Sequence, residues 1–434
     1  MRRNNRASRF VTRRWWLLLL ACLLALAAGC HPAAHPPAAS PAVLAPQATS
    51  EENGSAPSEE PQPPQETVTY GTLMAVGDIM VHTPQLPAYY DAEADRYFFD
   101  AWFRHVAPIF STGDWVVGNL ETPLAGADLK YTGFPRFNAP PELAEALRSA
   151  GFDLVSTANN HALDRGFAGI QRTLHNVRQA GLIPFGTHET EEEAKLPVIV
   201  EKNGIRIGFL AYTYGTNGIP LPKDKPFAVN LIDLGQIGED IRRLKQSGAD
   251  LVSVSLHFGN EYQRLPSEEQ IRTARAVVGL GADIILGSHP HVVQPYDIIE
   301  VPAEESATGE ARRGVVIYSL GNFISNQTGD WKDVGLIFSV KIRKTVRPDG
   351  ASVTELEGVE LQPTWVHIER KGGKRHYTIL PLGPGEGDFG QDPALSADTQ
   401  QRMRTMHEQI MAHLHTYQKQ SFESDTGPDD RQNG

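Results

Sequence analysis

The sequence predicts an α/β layered domain with some antiparallel pairing, covering roughly residues 70–330. Short apolar runs alternate with helical patterns, and the helical patterns carry start and stop signals. A polar cluster follows most of the apolar runs, and this carries the functional reading. In open α/β sheets the loops at the carboxyl ends of the strands gather in one crevice, where ligands bind.

Buried strands are expected at 71–76, 114–118, 153–157, 251–256, 283–287 and 314–319. Pro140-Pro141 opens a helical run that reaches Ala150, and Gly151 ends it. Residues 166–180, 233–247 and 267–280 read as helices on similar grounds. Between Val198 and Tyr212 two β-rich runs flank Asn203-Gly204, a strong hairpin signal. After Phe323 the helices lapse; 335–344 and 352–362 read as antiparallel strands, either a small added sheet or an extension of the main one. Met403, Met406, Ile410 and Leu414 then line one face of a helix, a packing stripe, with Asp392-Pro393 as a start signal upstream. The main domain is therefore drawn at 67–330, completed by strands and helix in 331–421. An acidic tail, 422–434, is expected to be disordered.

The start of the chain reads differently. Six arginines (Arg2, Arg3, Arg6, Arg9, Arg13, Arg14) precede an apolar run from Trp15 to Ala28, followed by Gly29-Cys30. That run has the length of a signal-peptide core and is short for a membrane span. A small residue before Cys30 resembles a lipobox, which makes Cys30 the expected lipidation site and 1–30 a lipoprotein-type leader. Ala27 stands where Leu or Val is usual, and plain secretion is the alternative. Residues 31–66, rich in Pro, Ala, Ser, Glu and Gln, read as a disordered tether. The expected location is the extracytoplasmic face of a bacterial membrane, reached through the lipid. Cys22 and Cys30 are the only cysteines, so the mature domain holds neither a disulfide nor a thiolate metal site. Removing the six leader arginines takes the formal charge from −12 to −18. Such a surface argues against nucleic acid and against direct binding to anionic lipid. An anionic substrate must then be met by a local positive feature, which a bound metal would supply.

The strand-end clusters are Gly77-Asp78 with His82, Asn119 with Glu121, Asn159-Asn160-His161, His257, Gly287-Ser288-His289-Pro290-His291, and Gly321-Asn322. Carboxylates, Asn and neutral His together suit divalent Zn, Mn or Fe. Two ions ~3.5–4 Å apart, bridged by a carboxylate, would activate water for in-line attack on a phosphoryl centre, and a further His could protonate the leaving oxygen. Taken singly, Asp78 is also a turn or N-cap residue, Asn159-Asn160 a turn, and His257 a core histidine. Glu121 precedes Thr122-Pro123 and has no helical role. His289 and His291 occupy alternate strand-end positions, which face one side. Glu261, Asn119, Asn159 and Asn322 are expected as substrate contacts or supports. His105, His175, His188, His407, His413 and His415 are expected at the surface.

On these residues the chain resembles the bacterial capsule-synthesis family typified by CapA, over roughly 70–325. The resemblance rests on Gly77-Asp78, Asn119-Leu120-Glu121, Asn159-Asn160-His161-Ala162-Leu163-Asp164, His257-Phe258-Gly259-Asn260-Glu261-Tyr262, Gly287-Ser288-His289-Pro290-His291 and Ser319-Leu320-Gly321-Asn322-Phe323. That family is in turn similar to calcineurin-like metallophosphoesterases, which implies a four-layer sandwich of two mixed sheets flanked by helices. The resemblance implies Asp78 and His291 on one metal, Asn160, His257 and His289 on the other, Glu121 bridging, and His161 as the acid. Three departures stand out: His82 lies four residues after Asp78 rather than two, Asn119 replaces an Asp, and Ala162 replaces an acid. The implied role is synthesis, export or anchoring of an anionic envelope polymer, poly-γ-glutamate, with capsule synthase subunits as the implied partners. The alternatives are a non-catalytic polymer-binding scaffold and a general extracytoplasmic phosphoesterase.

Overall fold

A computed structural model describes residues 65–383 and 395–417. The chain divides into units 1–61 and 62–434, and all described residues belong to the second. The leader with Cys30, the tether up to residue 64, Asp392-Pro393 and the tail from Phe422 lie outside the described residues.

In chain order the elements are β1 (Thr67–Ile79), β2 (Tyr90–Asp91), β3 (Arg96–Tyr97), α1 (Ala107–Phe110), β4 (Trp115–Leu120), α2 (Glu142–Ala150), β5 (Leu154–Ser156) and α3 (Gly166–Gln179). There follow β6 (Ile183–Phe185), α4 (Glu191–Ala194), β7 (Ile199–Lys202), β8 (Ile205–Thr213), α5 (Leu234–Gln246), β9 (Leu251–His257), α6 (Glu268–Leu280) and β10 (Ile284–Ser288). The last are β11 (Tyr296–Val301), β12 (Arg312–Ile317), β13 (Asn322–Ile324), β14 (Val334–Val346), β15 (Ser352–Lys371), β16 (Lys374–Pro381) and α7 (Ala397–Leu414). One mixed sheet has the order β16-β15-β14-β1-β4-β5-β6, with β13 beside β1, and a second has the order β11-β12-β10-β9-β8-β7.

Alternation of side chains builds four layers from these two sheets. On β1, Leu73 and Ala75 face the second sheet, while Met74 and Val76 face the outer layer with α2 residues Leu143 and Leu147. On β10, Ile284 and Leu286 point inward, and Ile285 packs outward with Ile237 and Ile241 of α5 and Val277 of α6. Expected caps hold the helices at their places. Gly151 takes φ 109° after α2, Asp233 caps α5, and Ser267 with Gln270 forms a capping box on α6. Asn203 and Gly204 both adopt positive φ, the two-residue turn their identity predicted.

Of the two readings of the C-terminal strands, the extension holds: β14 pairs along β1 from Thr67 to Val76. β15 runs to Lys371, well past the expected end near 362, and β16 was not anticipated. The Met stripe is packing, as read; Met403, Met406, Ile410 and Leu414 are all buried. Helix α7 starts later than expected, at Ala397, because the Ser396 side chain accepts from the Thr399 N–H. His188 corrects the surface assignment of the remaining histidines. It is buried where the chain after β6 turns under β8, with its N–H on the Ala228 carbonyl.

Candidate metal centre

The site forms where rows of polar residues at the ends of the two sheets face one another. In the first sheet the register aligns Asn322 with Asp78, Asp78 with Asn119, and Asn119 with Ser156. In the second it aligns Ser288 with His257, and His257 with Thr213. Two glycines permit the close approach of backbones there. A Cβ on Gly77 would lie 1.9 Å from the Gly321 carbonyl oxygen, and one on Gly287 would lie 2.0 Å from that of Tyr318. His289 and His291 also hold positive φ, 100° and 58°, which is strained for non-glycine residues.

Two groups of ligand-type atoms result, and Glu121 belongs to both: Asp78, Glu121 and His291, and Glu121, His257 and His289. All five side chains are buried. The Glu121 Oε1 lies 3.5 Å from His257 Nε2 and 3.8 Å from His291 Nε2, yet it accepts no hydrogen bond. His289 Nδ1 is likewise buried without a partner. Orphaned buried acceptors of this kind are rare, and here they converge. Asn160 joins the second group through Oδ1, 3.1 Å from His257 Nε2. Glu261 is exposed and forms a third set with His289 and His291 at the rim.

Supporting bonds orient the ring nitrogens. His291 Nδ1 lies 2.9 Å from Asp78 Oδ2 and 3.1 Å from Asn322 Oδ1. His257 Nδ1 faces the Ser288 hydroxyl at 2.9 Å, which leaves Nε2 directed at Glu121 and Asn160. Asn119 donates to Asp78 Oδ1 at 2.9 Å, and its own carbonyl accepts from Ser156. Asn159 spans the gap, donating to the Leu120 carbonyl and accepting from the His161 N–H.

The electrostatics favour a cation. Burial, with the nearby His289 and His291, holds the His257 imidazole well below its ordinary pKa, and burial pushes that of His289 down to about 4. Both imidazoles are neutral at pH 7. Burial, then the neighbouring Asp78, drives the Glu121 carboxyl well above the carboxylate range. A divalent ion among these groups would relieve both penalties, and the donor set fits one.

His161 stands apart from the ligand groups. Its Nδ1 lies 2.8 Å from Asp164 Oδ2, its ring meets Phe137 edge-on, and Asn217 Nδ2 lies 3.5 Å from Nε2. The acid absent at position 162 is thus supplied in space by Asp164, which the sequence reading left without a role. Tyr214 and Asn217 were missed, and Ser288 was quoted in its strand-end cluster without a role. Tyr214 follows β8 and packs against His289 with the rings tilted and their centroids 4.7 Å apart, so the strand-end rule applied to β8 would have found it. His82 does not enter either ligand group. It caps a short turn, and its Nδ1 accepts from the Asn326 N–H at 3.3 Å.

A family model described as bacterial capsule synthesis protein PGA_cap matches residues 72–327, more than half of the chain. The capsule biosynthesis protein CapA of Bacillus anthracis is 32% identical over 67% of this chain and 67% of its own length. The PGA biosynthesis protein CapA of Bacillus subtilis is 31% identical over 58% of this chain and 62% of its own. Among solved structures, a calcineurin-like phosphoesterase from Bacillus subtilis, YfkN, is similar at 15% identity and a TM-score of 0.36, covering 78% of this chain and 100% of that one.

Proposed function

Starting from the fact that this chain belongs to the PGA_cap family of bacterial capsule synthesis proteins, we propose a metal-dependent hydrolase acting on an anionic envelope polymer of the poly-γ-glutamate class. It works in synthesis, export or anchoring of that polymer at the extracytoplasmic face of the membrane, tied there through Cys30. Capsule synthase subunits are its expected partners.

One observation carries the chemistry. Glu121 Oε1, with no hydrogen bond of its own, lies between two imidazole Nε2 atoms and belongs to both ligand groups. Asp78, Glu121 and His291 would hold one divalent ion, and Glu121, His257, His289 and the Asn160 carbonyl the other. When bound, such ions supply Lewis acidity at a phosphoryl or acyl oxygen. The chain's own groups do the rest. Asp164 fixes His161 Nδ1 as the protonated nitrogen in its resting tautomer and stabilises the imidazolium, so Nε2 exchanges the proton with the leaving oxygen. Ser288 and Asn322 keep His257 and His291 from rotating away from the centre. Tyr214 and Asn217 wall the side on which Asn160 and His161 lie.

The test is metal content by mass spectrometry of residues 67–434, beside Asp78→Ala and His289→Ala. Two ions per chain, diminished in both variants, together with turnover of a polymer or phosphoester linkage, support the reading. A folded protein that takes up no Zn, Mn or Fe sinks it. A polymer-binding scaffold is the second reading, favoured by Asn119, which points a donor rather than a ligand at Asp78. Metal without turnover on any linkage would select it. Turnover confined to small free phosphoesters would instead select a general phosphoesterase.

A further inference from the structure

Strand β15 does not stop where its neighbour does. Its Trp365 pairs with Val334, the first residue of β14, and β15 then continues from Val366 to Lys371 and returns as β16. Since β14 is antiparallel to β1, its Val334 end lies at the site end of the sheet. At ~3.3 Å per residue the overhang reaches about 20 Å past that level. The hairpin closes through Gly372 and Gly373, both at positive φ.

What this overhang carries is unusual for so acidic a chain. Arg370 lies directly opposite Arg375, and Lys371 directly opposite Lys374. Like charges in directly opposed positions destabilise a strand pair, and here two such rungs follow one another. Lower on the same sheet the pattern is ordinary: Lys341 meets Glu360, and Arg343 meets Glu355 and Glu357. Among the described residues none of the four finger cations has an ion-pair partner, and Arg370, Lys371 and Lys374 are exposed. The root of the finger abuts the loop beside the site, where Gln327 accepts from the Asn322 amide that lies against His291. Arg375 and the Tyr377 hydroxyl both donate to Asn326 Oδ1, and the Asn326 N–H donates to His82.

We propose that the β15–β16 hairpin, through Arg370, Lys371, Lys374 and Arg375, is a docking finger for an extended polycarboxylate chain that runs to the metal centre beside its root. A chain suits it better than a single anion, because successive rungs face opposite sides of the hairpin and Arg370, Lys371 and Lys374 are open to solvent. A membrane suits it less, because the tip is Gly-Gly with no apolar or aromatic side chain to insert. The choice of polymer rests on the proposed function; the charge pattern does not. The finger also lies beyond residues 72–327, outside the family match.

The experiment uses the full-length protein, poly-γ-glutamate of one defined length, and calorimetric titration at low and high ionic strength. Replacing the three exposed cations (Arg370→Gln, Lys371→Gln, Lys374→Gln) should weaken binding about tenfold and flatten its salt dependence. Thermal melting of the same variant should be unchanged or higher, since repulsive rungs are gone. The same triple variant should keep the wild-type metal content, which separates this proposal from the hydrolase reading. Wild-type affinity in the triple variant overturns the finger, as does absence of polymer binding by the wild type. Binding to phosphatidylglycerol vesicles that the triple variant loses, in place of polymer binding, also overturns it. None of these results alters the metal test.

Discussion

The two halves of the metal centre share Glu121 but are built on different principles. In the Asp78 half the groups already satisfy one another: Asp78 holds His291 through one oxygen and Asn119 through the other. In the His289 half His257 Nε2 meets Asn160 Oδ1, but His289 Nδ1 is unpartnered and both imidazoles are held neutral by burial. The first half is rich in oxygen, the second in nitrogen. A borderline ion such as Zn should therefore load the His289 half first and more tightly, because that half offers two neutral imidazoles, one of them with an unpartnered nitrogen.

The largest test of that asymmetry is His289→Ala, which should remove the tighter ion and cut any hydrolytic turnover about a hundredfold or more. Metal analysis beside a substrate screen checks it; an unchanged metal content would contradict the assignment of halves. Asp164→Asn touches neither half. It should leave metal content intact and lower turnover about tenfold to a hundredfold by loosening His161, with a shifted pH profile as the readout.

Glu121→Gln breaks the comparison at the shared residue. Because the folded protein raises the Glu121 pKa, its ionised form costs stability at pH 7 and that cost vanishes only on acidification. In chelator the variant should therefore be about 1–3 kcal/mol more stable than the wild type, measured by melting, while binding neither ion well. The imidazoles run the other way. His289 takes its proton at about 4 in the fold but near the ordinary 6.5 when unfolded, so its contribution is full above that value and is lost as pH falls toward 4. Metal-free His289→Ala should accordingly show a flatter acid limb in a plot of melting temperature against pH. The smallest effect belongs to His82→Ala, at most about threefold in turnover, because that side chain serves the Asn326 turn rather than a cation.

Much of this was legible in the sequence because strand ends announce themselves. An apolar run that stops at Asp78, His257 or Ser288 places its next polar group at the sheet's edge, and two sheets facing each other bring the edges together. Loop paths were not legible. His82 is four residues from Asp78 and turns away, whereas Asp164, three residues after His161, turns back to it. Nor was the length of β15. Pro363 looks like a strand end, yet β15 continues through it opposite Leu336, and the Gln362 side chain bonds the Leu382 carbonyl across the gap. The finger was hidden for the same reason, since it lies past that expected end.

The left-handed backbone at His289 and His291 has a further consequence for how this protein opens. Strain held in two residues of one short loop is released when that loop unfolds locally, well before the sheets separate. A bound cation that both histidines help to hold would act as a latch on that opening. Amide hydrogen exchange across residues 288–292 should then slow on metal loading while the sheet interiors stay unchanged, making this loop an internal gauge of occupancy.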